Sequence, residues 1–93
     1  MENQHRQTSG FHVVMPEEVR LMNEIKAFGQ ALEQLCDKVR AHITAQYQKT
    51  HLGETEMDRL CRAQPENWES WGRSNFQSGL MYLKRAVQQP SEF

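Results

Sequence analysis

The sequence is poor in the residues that build several common classes of protein. It has two cysteines and neither CxxC nor HExxH spacing, so neither a metal site nor a disulfide framework is expected. Eleven basic residues face twelve acidic ones, and such a chain lacks the dense positive charge that attracts duplex nucleic acid. No segment approaches the roughly 20 apolar residues of a membrane span. We therefore expect neither duplex nucleic acid nor a membrane as a partner.

A catalytic constellation is missing as well. No nucleophile, base and orienting residue occur at a recognisable spacing, and acidic residues such as Glu24, Glu33 and Asp37 fit solvated helix faces. The first fifteen residues lack the continuous apolar core of a secretory signal, and Cys36 and Cys61 suit the reducing cytoplasm as free thiols. These features predict a cytoplasmic protein that is not an enzyme and has no cofactor.

The sequence does contain a long helical pattern. From Pro16 to about Gln48 no turn cluster interrupts the chain. Apolar or small residues recur every seven positions in two series, and a third series widens the stripe: Met22, Gly29, Cys36 and Ile43; Ile25, Leu32 and Val39; Leu21, Phe28 and Leu35. This heptad-like spacing predicts a helix that packs along another helix. At about 1.5 Å per residue the helix would be about 50 Å long, so it needs a hairpin partner, other subunits, or both.

The second half of the chain predicts a shorter helical arm. Thr55 and Asp58 form a weak capping pair before a helical segment from Glu56 to about Ala63. Pro65 starts or kinks the helix that follows, which ends near Gln88. Its apolar positions are Trp68, Trp71 or Gly72, Phe76, Leu80, Leu83 and Val87. The two tryptophans are expected to anchor a core or an interface.

Together these patterns predict an all-α protein. Residues 1–93 would form a single helical domain with an N-terminal arm (1–15), a long helix (16–49) and a second helical arm (55–88) kinked near Pro65. Two long helices joined by a short link indicate a long antiparallel helical hairpin. Only 38% of the residues are apolar, and a domain of this size buries only about 60% of its unfolded surface. We therefore expect a homo-oligomer.

Two residues near the start of the chain are candidates for ligand binding. Lys26 lies beside Met22 and Ile25 at the edge of the stripe, either as a solvated flank of the seam or as an ammonium placed to meet a phosphate. Phe11 either anchors the arm or offers a face on which a nucleobase stacks, worth about 1–3 kcal/mol per base. His12 and Arg6 would add hydrogen bonds or charge.

A third candidate lies in the segment WESWGRSNFQ. Gly72, Arg73 and Ser74 lack the GxxxxGK[ST] spacing of a phosphate-binding loop. They belong either to an ordinary solvated helix face or to a small site where Arg73 and Ser74 meet phosphate oxygens.

Several short segments together resemble the phage anti-CBASS cyclic-nucleotide sponges. They are the opening MENQHR, the aromatic Phe11, the run LMNEIK that ends at Lys26, and the closing FQSGLMYLKRAVQQP. These stretches cover about half the chain, and the middle, from about Cys36 to Asn67, matches only in helical character. The resemblance implies a small all-helical homohexamer in the cytoplasm of the infected bacterial host. It would bind cyclic dinucleotides such as cGAMP, and cyclic trinucleotides, without cleaving them.

The resemblance also implies roles for individual residues. The aromatic at Phe11 stacks on the bases of the ligand, and Lys26 contacts phosphate. Phenylalanine here replaces the tyrosine of the family, which keeps the stacking face and loses a hydroxyl. Cyclic trinucleotides are implied to use a separate pocket near the three-fold axis, at Gly72, Arg73 and Ser74, where Arg73 and Ser74 replace a lysine and a threonine.

The residues also leave an alternative open. A helical module could lay its apolar seam on a host protein and inhibit it, since amphipathic helices commonly bind in this way.

Overall fold

A computed structural model describes residues 14–49 and 53–92 of the chain. Within these ranges the protein has three α-helices and no strand: α1 (Pro16–Gln48), α2 (Glu54–Ala63) and α3 (Pro65–Gln88). The predicted all-α class, the long helix and the hairpin-like packing are confirmed. The single domain and the homo-oligomer stay predictions.

The start of α1 follows from its first three residues. Pro16 occupies the first helical position, where its missing N–H is not needed. Glu17 and Glu18 follow in the first turn, and their negative charge complements the positive end of the helix dipole. The backbone N–H of Val19 donates to the carbonyl of Met15 at 3.1 Å and so closes the turn.

The start of α2 differs from the prediction. The helix begins at Glu54, and its N-cap, Gly53, makes no side-chain cap hydrogen bond. Thr55 therefore lies inside the first turn rather than before it, and the predicted capping pair of Thr55 and Asp58 is wrong.

A single residue separates α2 from α3. Gln64 has φ 51° and ψ 53°, in the left-handed region, and its backbone N–H donates to the carbonyl of Leu60 at 3.0 Å. This is a left-handed C-cap, which ends α2. Pro65 then begins α3, because its fixed φ suits the first helical position.

The chain divides into two compact units, and α1 and α3 each contribute to both. The first unit comprises residues up to Gly29 together with those from Gln77 onward, and the second comprises Gln30–Phe76. In the first unit α1 closely approaches α3 at Gly29. A Cβ placed on Gly29 would lie 3.2 Å from Cδ1 of Leu80, so the absence of a side chain permits this approach.

The least exposed hydrophobic side chains of residues 14–49 and 53–92 lie in the second unit. Cys36 and Ile43 of α1 and Leu60 of α2 are 7%, 6% and 2% exposed. Cys36 and Ile43 belong to the predicted seam, whereas Leu60 does not stand out in the sequence. The C-terminal half of the seam therefore contains its most buried residues.

Much of the remaining apolar stripe on α1 is open to solvent. Met22, Ile25 and Leu32 are half-buried. The residues that were expected to widen the stripe, Leu21, Phe28 and Leu35, are exposed, as is Val39.

The inward face of α3 differs from the predicted one. Trp68 and Trp71 are exposed and form an edge-to-face pair with ring centroids 4.9 Å apart. Glu69 is buried instead, one residue and about 100° around the helix from Trp68. The expectation that these tryptophans anchor a core within the chain is wrong, while their role in an interface stays a prediction.

Candidate ligand-binding sites

An apolar groove of about 520 Å³ lies in the first unit, between the start of α1 and the end of α3. Its volume falls within the roughly 300–1,000 Å³ of small-molecule sites. The groove is lined by Val14, Glu18, Val19, Met22, Asn23, Val87, Gln88 and Pro90. Because most of these side chains are apolar, the groove suits the face of a ring better than a phosphate.

Lys26 lies on α1 one turn beyond Met22, a step of about 6 Å along the helix axis. Its side chain is exposed. In the part of the chain that the structure describes, Lys26 makes no hydrogen bond or ion pair with another residue. Its ammonium is therefore accessible to an anion beside an apolar surface.

The charges around the groove are unevenly placed. The carboxylate of Glu18 lies in the groove itself, while Lys26 follows two helical turns later, about 12 Å along the axis. An anionic ligand is attracted near Lys26. This attraction favours an orientation with the phosphates toward Lys26 and an uncharged ring in the groove.

Phe11, His12 and Arg6 lie outside the described residues, and their roles stay predictions. Phe11 precedes the groove residue Val14 by three positions. Successive Cα atoms are about 3.8 Å apart, so the chain limits the distance between the Cα atoms of these two residues to about 11 Å.

A cluster of four charged side chains joins α1 and α3 in the second unit. The side chain of Glu69 is 3% exposed. Nε of Arg40 donates to its Oε1 at 2.8 Å, and Nη2 of Arg40 lies 2.7 Å from the same oxygen as an ion pair. Arg73 donates from Nε to Oε2 of Glu69 and from Nη2 to Oδ1 of Asp37, both at 3.0 Å. Charged donors therefore reach both oxygens of Glu69, which makes the burial of its charge tolerable.

The pKa values in this charged cluster reflect the same contacts. Burial raises the pKa of Glu69, but the hydrogen bonds from Arg40 and Arg73 outweigh burial and hold the pKa below its ordinary value of 4.5. The hydrogen bonds with Asp37 and Glu69 in turn raise the pKa of Arg73. With two acids and two bases, the charged cluster has no net charge at neutral pH.

The candidates Gly72, Arg73 and Ser74 follow one another on α3 in the second unit. Nothing lies within 4 Å of a Cβ placed on Gly72, so the space beside it is open. Arg73 is mostly covered and belongs to the charged cluster, whereas Ser74 is exposed. Their role in binding stays a prediction.

A second depression, of about 400 Å³, adjoins the charged cluster. Its lining includes Arg40, Tyr47 and Glu66. The hydrogen bond with Glu66 raises the pKa of Tyr47 to about 12, and the hydroxyl of Thr44 donates to the carbonyl of Arg40 at 3.1 Å. Several polar groups of this depression thus already have partners within the protein.

The charged cluster is not predicted from the sequence. Asp37 fitted a solvated helix face, and Glu69 received no role. One signal was present, because Glu69 lies four residues before Arg73 and next to the apolar positions of α3. An acid at such a position, one turn from an arginine, is compatible with an inward ion pair.

Within residues 14–49 and 53–92, no group of three or more His, Cys, Asp and Glu residues is placed to hold a metal ion. No helix in these ranges combines the length and the apolar character needed to cross a bilayer.

Comparison with known proteins identifies a relative. The chain is 26% identical over 105 aligned positions to Anti-CBASS protein 2 of Pseudomonas phage JBD67, and the alignment covers 97% of each chain. No family model matches the chain. The alignment therefore spans the segments that form the groove and the charged cluster as well as the two ends.

Proposed function

We propose that this chain, which is similar along 97% of its length to an anti-CBASS protein of a phage, counters CBASS in the cytoplasm of the infected bacterial host. It does so by binding cyclic dinucleotide messengers, and also cyclic trinucleotides, and holding them intact. One observation carries this proposal: in a relative of an anti-CBASS protein, an exposed lysine without a partner in the described chain lies one helical turn beyond Met22 of an apolar groove.

In the proposed complex the ligand is divided between two surfaces. The groove receives a base, and Lys26 neutralises a phosphate. Phe11 stacks on a base, a contact worth about 1–3 kcal/mol. A chain with a net charge of −1 can hold such a small anion, because a few local cations suffice.

Retention of an intact ligand fits the groups around the groove. Cleavage of a phosphodiester requires an activated nucleophile and a group that transfers protons. Among the described residues that line the groove, one carboxylate, Glu18, accompanies apolar and amide side chains. These groups bind and orient a ligand, so the protein is proposed to be a sponge rather than an enzyme.

Assembly into a homohexamer is part of the proposal. Leu21, Phe28 and Leu35 are exposed at seven-residue intervals along α1, and burying them between copies would stabilise an oligomer. A two-fold axis would bring Lys26 of two copies to a ligand with two phosphates. Native mass spectrometry of the full chain measures the number of subunits.

Lys26→Ala tests the proposed site. We expect it to weaken cGAMP binding by at least about tenfold, because it removes a charge-assisted contact with phosphate. Isothermal titration calorimetry measures the affinity. The matched control is Lys38→Ala, which removes an exposed lysine of α1 outside the groove and should change the affinity by less than about twofold. Equal affinities of the two variants would contradict the site.

A second candidate function is a helical module that binds and inhibits a host protein. The exposed stripe of Leu21, Phe28 and Leu35 favours it, because a partner's groove can cover such a stripe. Lys26→Ala separates the two functions in a phage infection assay. Joint loss of nucleotide binding and anti-CBASS activity supports sequestration, whereas activity without nucleotide binding supports the protein-binding module.

A further inference from the structure

Arg73 lies between two carboxylates that differ in exposure. Its Nε donates to Glu69, whose side chain is 3% exposed, and its Nη2 donates to Asp37, whose side chain is 64% exposed. Both distances are 3.0 Å. One side of the guanidinium is therefore held by a buried partner, and the other by a partner that water reaches.

We propose that Asp37 is an exchangeable counter-ion of Arg73, which an incoming phosphate must displace. The inference rests on the proposed function, in which the chain binds cyclic trinucleotides, and on the role in that binding that the resemblance implies for Arg73. It assigns Asp37 a part in determining which anions the site accepts.

The different environments of the two carboxylates support this exchange. An ion pair with an exposed carboxylate contributes little, because water and salt compete for both charges. Glu69 is different, because it is buried and Arg40 also holds it. Displacement of Asp37 therefore leaves Arg73 oriented by Glu69, with Nη2 available to a phosphate oxygen.

The net charge of the cluster also supports this exchange. With Asp37 in place, the charged cluster is neutral and attracts anions weakly. When Asp37 moves out, Arg40, Arg73 and Glu69 together carry one positive charge.

Asp37 thereby competes with every anion that approaches Arg73. An anion must gain enough binding free energy from its contacts to displace this carboxylate. A small anion with a single contact must compete with the carboxylate for one guanidinium. A cyclic trinucleotide has three phosphates and three bases, so its further contacts compensate for the displacement. Specificity of this kind comes from a built-in competitor rather than from an added attraction.

Asp37→Asn tests the inference through titration of the full chain with cyclic tri-AMP. The affinity should rise about fivefold, because the variant removes the competing charge. The matched control is Glu33→Gln, which removes an exposed carboxylate one turn earlier on α1, outside the charged cluster. It should change the affinity by less than about twofold. The gain should disappear in the double variant Asp37→Asn/Arg73→Gln.

Unchanged or weaker binding in Asp37→Asn, or an equal gain in Glu33→Gln, would overturn the inference. Titration of the same variants with cGAMP separates it from the proposed function. Binding of cGAMP without any binding of cyclic tri-AMP by wild type and Asp37→Asn overturns the inference alone. A gain for cyclic tri-AMP in the absence of cGAMP binding supports the inference and removes the proposed dinucleotide site.

Discussion

Glu69 shows how a small helical protein accommodates a buried charge. Its two carboxylate oxygens accept hydrogen bonds from Arg40 and Arg73, which come from different helices of the second unit. A buried ion pair of this kind adds little compared with a well-packed apolar pair, but loss of one partner leaves an uncompensated charge. The contacts of Glu69 therefore join α1 to α3 in a way that tolerates little change.

Glu69→Gln should lower the melting temperature by on the order of 10 °C, because two arginines lose their shared counter-charge. Circular dichroism at a fixed protein concentration measures the shift. The matched control is Glu56→Gln, which breaks the exposed ion pair of Glu56 with Arg59 in the same unit and should shift the melting temperature by less than about 2 °C. Similar shifts in both variants would show that Glu69 is not specially placed.

The same variant carries a pH signature. The pKa of Glu69 in the folded protein lies below its ordinary value of 4.5. Its carboxylate therefore stabilises the fold above about pH 4.5, and this contribution is lost as the pH falls through the folded-state pKa. The melting temperatures of wild type and Glu69→Gln should converge in this acid range. A difference that stays constant from about pH 6 to about pH 3 would contradict the ionic role.

At the scale of the helices, two glycines have contrasting surroundings. A Cβ on Gly29 of α1 would lie 3.2 Å from Cδ1 of Leu80, whereas nothing lies within 4 Å of a Cβ on Gly79 of α3. Alanine loses less backbone entropy than glycine in a helix, a gain of about 0.5–1 kcal/mol. At Gly29, displacement of Leu80 offsets that gain.

We therefore expect Gly79→Ala to raise the free energy of unfolding by about 0.5–1 kcal/mol, and Gly29→Ala to raise it less or to lower it. Urea unfolding of both variants at one protein concentration gives the comparison. The reverse order would show that a neighbouring helix from another copy covers Gly79.

The helices could be predicted to different degrees, for physical reasons. In α1 a seven-residue repeat and an N-terminal proline act locally, and they indicate the helix directly. On α3 the same reasoning places Trp68 inward instead of Glu69. Hydrophobic periodicity does not reveal that Arg40 of α1 and Arg73 of α3 together neutralise the charge of Glu69. Leu60 was missed because α2 is too short for a period to emerge.

The candidate site also combines a residue that the local sequence reveals with features that depend on helix packing. Lys26 stands out in the sequence, because a cation beside an apolar stripe is a local pattern. The groove requires Met22 and Val87 to meet although they are far apart in the chain, and the charged cluster likewise joins distant residues. Such pairings depend on how two helices pack, which the local sequence does not specify.

At the scale of the whole molecule, little apolar surface is hidden. The buried hydrophobic side chains of residues 14–49 and 53–92 are Cys36, Ile43 and Leu60, while many large apolar side chains of α1 and α3 are exposed. A domain of this size is marginal alone. We expect copies of the chain to cover these surfaces, so that assembly, stability and ligand binding depend on one another.

Recovery of the ligand tests most directly whether the protein holds cyclic oligonucleotides intact. The full chain is mixed with cGAMP, unbound nucleotide is removed by ultrafiltration, and the retained protein is denatured and its released nucleotide chromatographed. We expect cGAMP to be depleted from the filtrate and recovered, unchanged, from the denatured protein. Nucleotide left wholly in the filtrate, or a linear product released from the protein, would contradict it.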